Sequence, residues 1–163
     1  PTVYSWNLAR KQRAAGTYTE SEVNRELKKH PVIMAVSMTF VAAILIFVGI
    51  IMFTGDISYT FTDEALLIEA DYHADSTVPY DKIDSIELRE SAPVGTREWG
   101  FASARLMMGF FDNEEFGGHT RYSYVGTDAH IVARCGEDIL ILSDRDEAAT
   151  RALYEALMVH IGE

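Results

Sequence analysis

The chain has 163 residues, of which 48% are hydrophobic, 24% charged and 11% aromatic, with 11 glycines and 4 prolines. That excludes collagen-like and disordered chains, which need far more Gly and Pro or far fewer apolar residues. A single cysteine, Cys135, excludes an internal disulfide framework and a Cys-rich zinc site, and a formal net charge of −11 argues against nucleic acid as a partner.

The charge is unevenly spread. Residues 1–32 hold Arg10, Lys11, Arg13, Arg25, Lys28 and Lys29 against Glu20, Glu22 and Glu26, a net of +3. Residues 33–53 carry none, and residues 54–163 carry eight basic and 22 acidic groups, a net of −14. This division predicts a basic arm (1–31), a transmembrane helix (32–54) and an acidic domain (55–163).

In the arm, Tyr4, Trp6 and Leu8 precede Arg10, Lys11 and Arg13. Together with Lys28 and Lys29 this mixture suits an anionic membrane surface, where each basic group adds on the order of 1 kcal/mol. A solvated tail that only sets topology is an equal reading, and docking of Trp6 on a membrane partner is a third. Thr19-Glu20-Ser21-Glu22 fits a capping box and predicts a short helix from about Glu20 to His30. Pro31 cannot donate to the previous turn, which predicts a break or kink before the span.

Val32 to Phe53 reads VIMAVSMTFVAAILIFVGIIMF. As a helix this stretch is about 33 Å long, against roughly 30 Å for a bilayer core. Its polar residues are Ser37 and Thr39, whose hydroxyls can bond back to their own helix. No A-x-A-like site follows the run, so a cleaved signal sequence is not the expectation. Arg13, Arg25, Lys28 and Lys29 lie within twenty residues before the span, whereas Thr54 to His73 contains no Lys or Arg. Basic flanks stay inside, which predicts a cytoplasmic N-terminus and an extracytoplasmic acidic domain.

From Ile57 the period changes to two. Ile57, Tyr59 and Phe61 alternate with polar residues, Asp63-Glu64 makes a turn, and Ala65–Ala70 returns. A polar loop, Asp71 to Thr77, precedes a third strand around Ile86 and Leu88. The Gly-punctuated stretch Gly95 to Gly118 contains a predicted strand at about Arg105–Phe111. Tyr122–Val125, His130–Arg134 and Asp138–Leu142 then complete a predicted meander. The end is an amphipathic helix capped by Ser143 or Asp144, with Ala149, Leu153, Ala156, Leu157, His160 and Ile161 near one face. The expected fold class is α+β, mainly β: about seven antiparallel strands closed by a C-terminal helix.

The stretch Val78-Pro79-Tyr80-Asp81-Lys82-Ile83-Asp84-Ser85-Ile86-Glu87-Leu88 fits the pattern x-Pro-Tyr-x-x-Ile-x-x-Ile. With Gly95-Thr96-Arg97-Glu98-Trp99-Gly100-Phe101 and Gly109-Phe110-Phe111-Asp112-Asn113-Glu114-Glu115-Phe116-Gly117, it resembles the bacterial pleckstrin-homology-like (PH-like) membrane proteins over about residues 57–160. The resemblance implies a PH-like barrel attached to a membrane span in the bacterial cell membrane, generally without a known enzyme reaction. Independently, Pro79 rigidifies the strand entry, and Ile83 and Ile86 are spaced to plug one end of such a barrel.

Three candidate sites emerge. Asp71, His73 and Asp75 place potential metal ligands at i, i+2 and i+4, and Asp112 and Glu114 head an acidic loop that has Gly117 at its sixth position but Phe116 where a calcium loop needs an oxygen. Solvated loops explain both, and no metal or cofactor is expected. The third is an apolar surface at Met107, Met108, Phe110, Phe111 and Phe116. On a strand neighbours face opposite ways, so one of each adjacent pair leaves the interior unless something covers it. Phosphoinositide binding is not expected, because the first hairpin carries Asp63 and Glu64 where phosphate recognition needs Arg or Lys. His73, His119, His130, Ser103 and Cys135 form no recognisable nucleophile–base spacing. The expected function is therefore non-enzymatic: a single-span protein that contacts the bilayer and other membrane protein subunits, small residues of the span such as Ala35, Ala42, Ala43 and Gly49 permitting close helix contact. The alternative is a small-ligand or divalent-cation sensor coupled to the span.

Overall fold

The computed structural model describes residues 10–16 and 20–162. Residues 10–14 are helical, and the turn closes with Ala15 N donating to the Lys11 carbonyl at 3.0 Å. Trp6 and Thr19, the proposed anchor and cap, lie outside the described residues.

Helix α1 (Glu20–Phe53) is continuous for 34 residues with Pro31 inside it. The break predicted there does not occur. Proline removes one bond from the ladder, and the long regular segments on either side keep the rest. Met34–Phe53 is long and apolar enough to cross a membrane, and every side chain from Met34 to Val48 is exposed. Thr39 Oγ1 donates to the Ala35 carbonyl at 2.9 Å, so this hydroxyl makes no demand on its surroundings.

The chain divides into two compact units, Pro1–Val48 and Gly49–Glu163. The second is a β domain of nine strands and a helix. Strands β1 (Ile57–Phe61), β2 (Ala65–Ala70) and β3 (Ser76–Pro79) form an antiparallel sheet in that order. A short 3-10 turn, Tyr80–Lys82, leads to β4 (Ser85–Arg89), β5 (Thr96–Ala102), β6 (Leu106–Asn113), β7 (Gly117–Tyr124), β8 (His130–Cys135) and β9 (Asp138–Leu142). These make a six-stranded sheet of order β4-β8-β9-β7-β6-β5. Helix α2 (Glu147–His160) follows.

Two of the nine strands were not predicted, and each lacks the apolar alternation on which such predictions depend. In β3 only Val78 is buried, and β5 is exposed from Thr96 to Gly100. Both are held by backbone pairing to an apolar neighbour, β2 and β6. The predicted meander is also corrected. Strand β9 inserts between β7 and β8, parallel to β7 (Tyr122↔Leu142) and antiparallel to β8 (Ile131↔Leu142). Ser143 locks the insertion, its backbone N donating to the Tyr122 carbonyl at 3.1 Å while its hydroxyl accepts from Tyr124 N at 3.0 Å. That use removes Ser143 from capping. The N-cap of α2 is Asp146, whose carboxylate accepts from Ala149 N at 2.8 Å.

The main core joins both sheets and α2: Leu66 and Ile68 from β2, Leu106 and Met108 from β6, Ile131 from β8, Leu142 from β9, Leu153 and Leu157 from α2. Ile83 and Ile86 pack at its margin, half-buried. A second, smaller cluster comprises Ala92, Phe116, Val132 and Ile141.

Between β5 and β6 the backbones approach at Gly100↔Gly109. A Cβ on Gly109 would lie 2.4 Å from the Trp99 carbonyl oxygen, and its φ of +125° disfavours any side chain. Gly109→Ala is expected to cost ~3 kcal/mol or more, read as a drop of roughly 10 °C or more in the melting temperature of the detergent-solubilised chain.

Candidate functional site

The predicted apolar surface is largely interior. Strand alternation holds in β6: Leu106, Met108 and Phe110 occupy one face, Met107, Gly109 and Phe111 the other. Met108 is fully buried in the main core, and Phe111 and Phe116 are 2% and 8% exposed. The expectation that these three meet a partner is therefore corrected. Met107 and Phe110 are half-buried, and the Phe110 ring covers Gly118. What the sequence did not reveal is the cover, the β4–β5 connection at residues 90–95.

A buried guanidinium holds that connection down. Arg121 is 1% exposed, and its Nη2 donates to the carbonyls of Ala92 (3.0 Å) and Pro93 (2.9 Å). Asn113 Nδ2 donates to the same Pro93 oxygen at 2.8 Å. The guanidinium carbon lies 6.0 Å from the Phe111 ring centre, and Arg89, paired with Glu115, lies over Phe116. Burial pushes the Arg121 pKa down to about 10. His119, directly opposite Phe111 in the β6–β7 register, bonds the Gly117 carbonyl through Nδ1 at 2.8 Å. Among the described residues His119 Nε2, Arg121 Nε and His130 Nδ1 are buried without a hydrogen-bond partner.

This polar cluster escaped the sequence reading. The available signal was strand length: residues 117–124 form one long strand, and a strand central in its sheet buries both faces, so an arginine at its middle must find internal acceptors. Both histidines are held neutral. Burial, reinforced by the Arg121 charge and opposed by Asp128, lowers His130 to about 4. Burial is also the main cause for His119, where the Gly117 contact opposes it and the Arg121 charge adds to it. The arrangement closes a layer of structure, with neutral imidazoles beside one cation. Burial, then Asp84 and Asp138, push the Cys135 thiol up, away from the thiolate a nucleophile needs.

The two metal candidates do not assemble. The Asp71 carboxylate accepts from Asp56 N at 3.0 Å and that of Asp75 from Ala70 N at 3.1 Å. The His73 ring instead packs on Trp99 (5.4 Å) and Tyr122 (5.6 Å), and burial lowers its pKa. Asp112 and Glu114 are exposed, with Glu115 turned to Arg89. Among the described residues no group of three or more His, Cys, Asp or Glu is placed to hold a metal ion. In the arm, Arg10, Lys11 and Arg13 are exposed, while the side chains of Lys28 and Lys29 lie outside the described residues.

A last cluster gathers where α1 ends. Ala104 N donates to the Met52 carbonyl at 3.2 Å, and Thr54 Oγ1 and Tyr72 Oη share a hydrogen bond of 2.9 Å. Arg105 reaches Asp56 at 3.5 Å, and Asp56 also accepts from the Tyr124 hydroxyl.

No family model matches the chain, and no curated protein and no solved structure matches it either.

Two measurements probe the buried cluster. Unfolded His130 binds a proton near its ordinary 6.5, whereas folded His130 does so only near 4. Between those values the unfolded state holds more protons, so stability falls as pH drops through the window. His130→Gln is expected to shrink the loss of melting temperature between about pH 7 and about pH 5. Arg121→Met removes the donors to residues 92 and 93. Amide exchange across residues 90–95 is expected to accelerate at least about tenfold, while the global melting temperature moves less, because the burial cost of an unpaired charge disappears with the guanidinium.

Proposed function

We propose that the chain is a single-span bacterial membrane protein that presents a PH-like acidic domain and works without catalysis, as an accessory subunit of a membrane complex. The observation that carries the reading is the exposed surface of α1. Twelve large apolar side chains between Met34 and Phe53 are exposed, among them Phe40, Phe47 and Leu45. At roughly 1.5–3 kcal/mol each, leaving them in water would cost about 20–35 kcal/mol, more than the net stability of a typical domain. Hydrocarbon removes that cost. The basic residues before the span and their absence from Thr54 to His73 after it favour a cytoplasmic arm and an extracytoplasmic domain. Two antiparallel-rich sheets sharing a core with a C-terminal helix support the PH-like assignment.

The contact with another subunit is assigned to the helix inside the bilayer, since Met108, Phe111 and Phe116 are spent on the domain's own interior. Ser37, Met38, Val41, Ala42 and Leu45 line a shallow groove on α1. Ala35 lies seven residues before Ala42, so both small residues face the same way, and small residues allow a neighbouring helix to approach closely. The groove fits an apolar helix of a different membrane protein.

Cysteine cross-linking in native membranes tests this. With Cys135→Ser as background, Ala42→Cys is expected to give one discrete adduct with a second membrane protein, and Phe47→Cys, on the opposite side of the helix, none. Equal adducts from both positions, a homodimer alone, or no adduct at Ala42→Cys would each overturn the reading.

A further inference from the structure

We propose that Tyr72 and Trp99 form an aromatic seat by which the β domain rests on the lipid–water boundary, with a zwitterionic headgroup layer as its occupant. The inference depends on Met34–Phe53 being a membrane span and adds a second lipid contact, made by the folded domain itself.

Four observations within the unit Gly49–Glu163 carry it. First, Tyr72 is tied to the point where the chain leaves the span. Its hydroxyl shares a 2.9 Å hydrogen bond with Thr54 Oγ1, and Thr54 immediately follows Phe53. Thr54 Oγ1 is fixed in turn by the Ile50 carbonyl at 2.6 Å. Second, Tyr72 is the one non-glycine residue with positive φ, at 66°, among the described residues. A bulky side chain rarely adopts that conformation, yet the residue is 48% exposed. Third, Trp99 stands beside it. Tyr72 packs on Phe101 at 5.2 Å, and the next residue, His73, packs on Trp99 at 5.4 Å. Trp99 is 59% exposed. Fourth, Phe53, Tyr72 and Trp99 are the exposed aromatics of this unit, and they fall in one region; the other large exposed apolar residues after Phe53 are Val125 and Val159.

Tyr and Trp are the side chains that prefer the headgroup level, where an apolar ring and a polar tip are both satisfied. Beside the seat Asp56 is held by Arg105 and Tyr124, and Asp71 accepts from the Asp56 amide. The seat belongs to a segment, residues 54–163, of net charge −14. That favours phosphatidylcholine-like headgroups over anionic ones, which would repel the remainder of the surface.

The test uses the full chain with Trp6→Phe, so that Trp99 is the sole tryptophan, reconstituted in phosphatidylcholine vesicles. Bromine-labelled lipids are expected to quench Trp99 at least about twofold, with shallow labels more effective than deep ones. Tyr72→Gly, which suits the positive φ and so keeps the fold, is expected to lower that quenching by about half or more. Three outcomes overturn the proposal. If the protein floats with the vesicles while Trp99 is quenched by aqueous iodide and by no bromolipid, the seat is absent although the span holds. If Trp99 is shielded from both quenchers, it packs on protein. If the protein does not float at all, the span reading falls and takes the seat with it.

Discussion

Two backbone carbonyls, those of Ala92 and Pro93, receive the buried guanidinium of Arg121, and that contact fastens the connection that covers the second face of the sheet's central strands. Without the connection at residues 90–95 lying over it, one face of β6, β7, β9 and β8 would present Phe111, Ile141 and Val132 to water. With it, the sheet becomes a central layer, having the main core on one side and the smaller cluster of Ala92, Phe116, Val132 and Ile141 as well. A lone buried cation is expensive. Here the cost is offset by charge-assisted bonds to the two carbonyls, that of buried Ala92 among them, and by the aromatic face of Phe111.

The histidines follow from the same cation. His119 is buried and His130 half-buried near Arg121, and protonating either would add a second positive charge beside it. Their neutrality is thus a condition of the layer, and the domain tolerates neutral pH better than acid at this point. His119 and His130 stand beside the clamp, His73 between aromatic rings and Ser143 between two strands.

How much of this was legible depended on whether a residue's role was local. The alternation in Ile57–Phe61, the apolar run of Ala65–Ala70 and the stripe of Leu153 and Leu157 are written in neighbouring positions, and those elements stand where expected. The uncharged stretch through Phe53 was equally plain. Met107-Met108 and Phe110-Phe111 were read correctly as facing opposite ways, but the sequence could not show that both sides are covered. The cover comes from residues 90–95, which have no period, and its fastening comes from Arg121, nearly thirty positions away. Strands β3 and β5 were invisible for a related reason: their partners, rather than their own side chains, make them strands. The site at Tyr72 and Trp99 left a trace only in residue type, because φ and exposure are properties of the folded chain.

The insertion of β9 carries a consequence for the order in which the molecule is assembled. Strands β7 and β8 are neighbours in sequence but are separated in the sheet by a strand made after both. As the chain leaves the ribosome, β7 and β8 stand apart, or pair provisionally and then reopen, until residues 138–142 arrive to fill the slot. Completion of the larger sheet waits until β9 has been made, by which time the apolar helix α1 has already emerged. The apolar helix therefore meets its surroundings before the β domain that follows it in the chain has a finished shape.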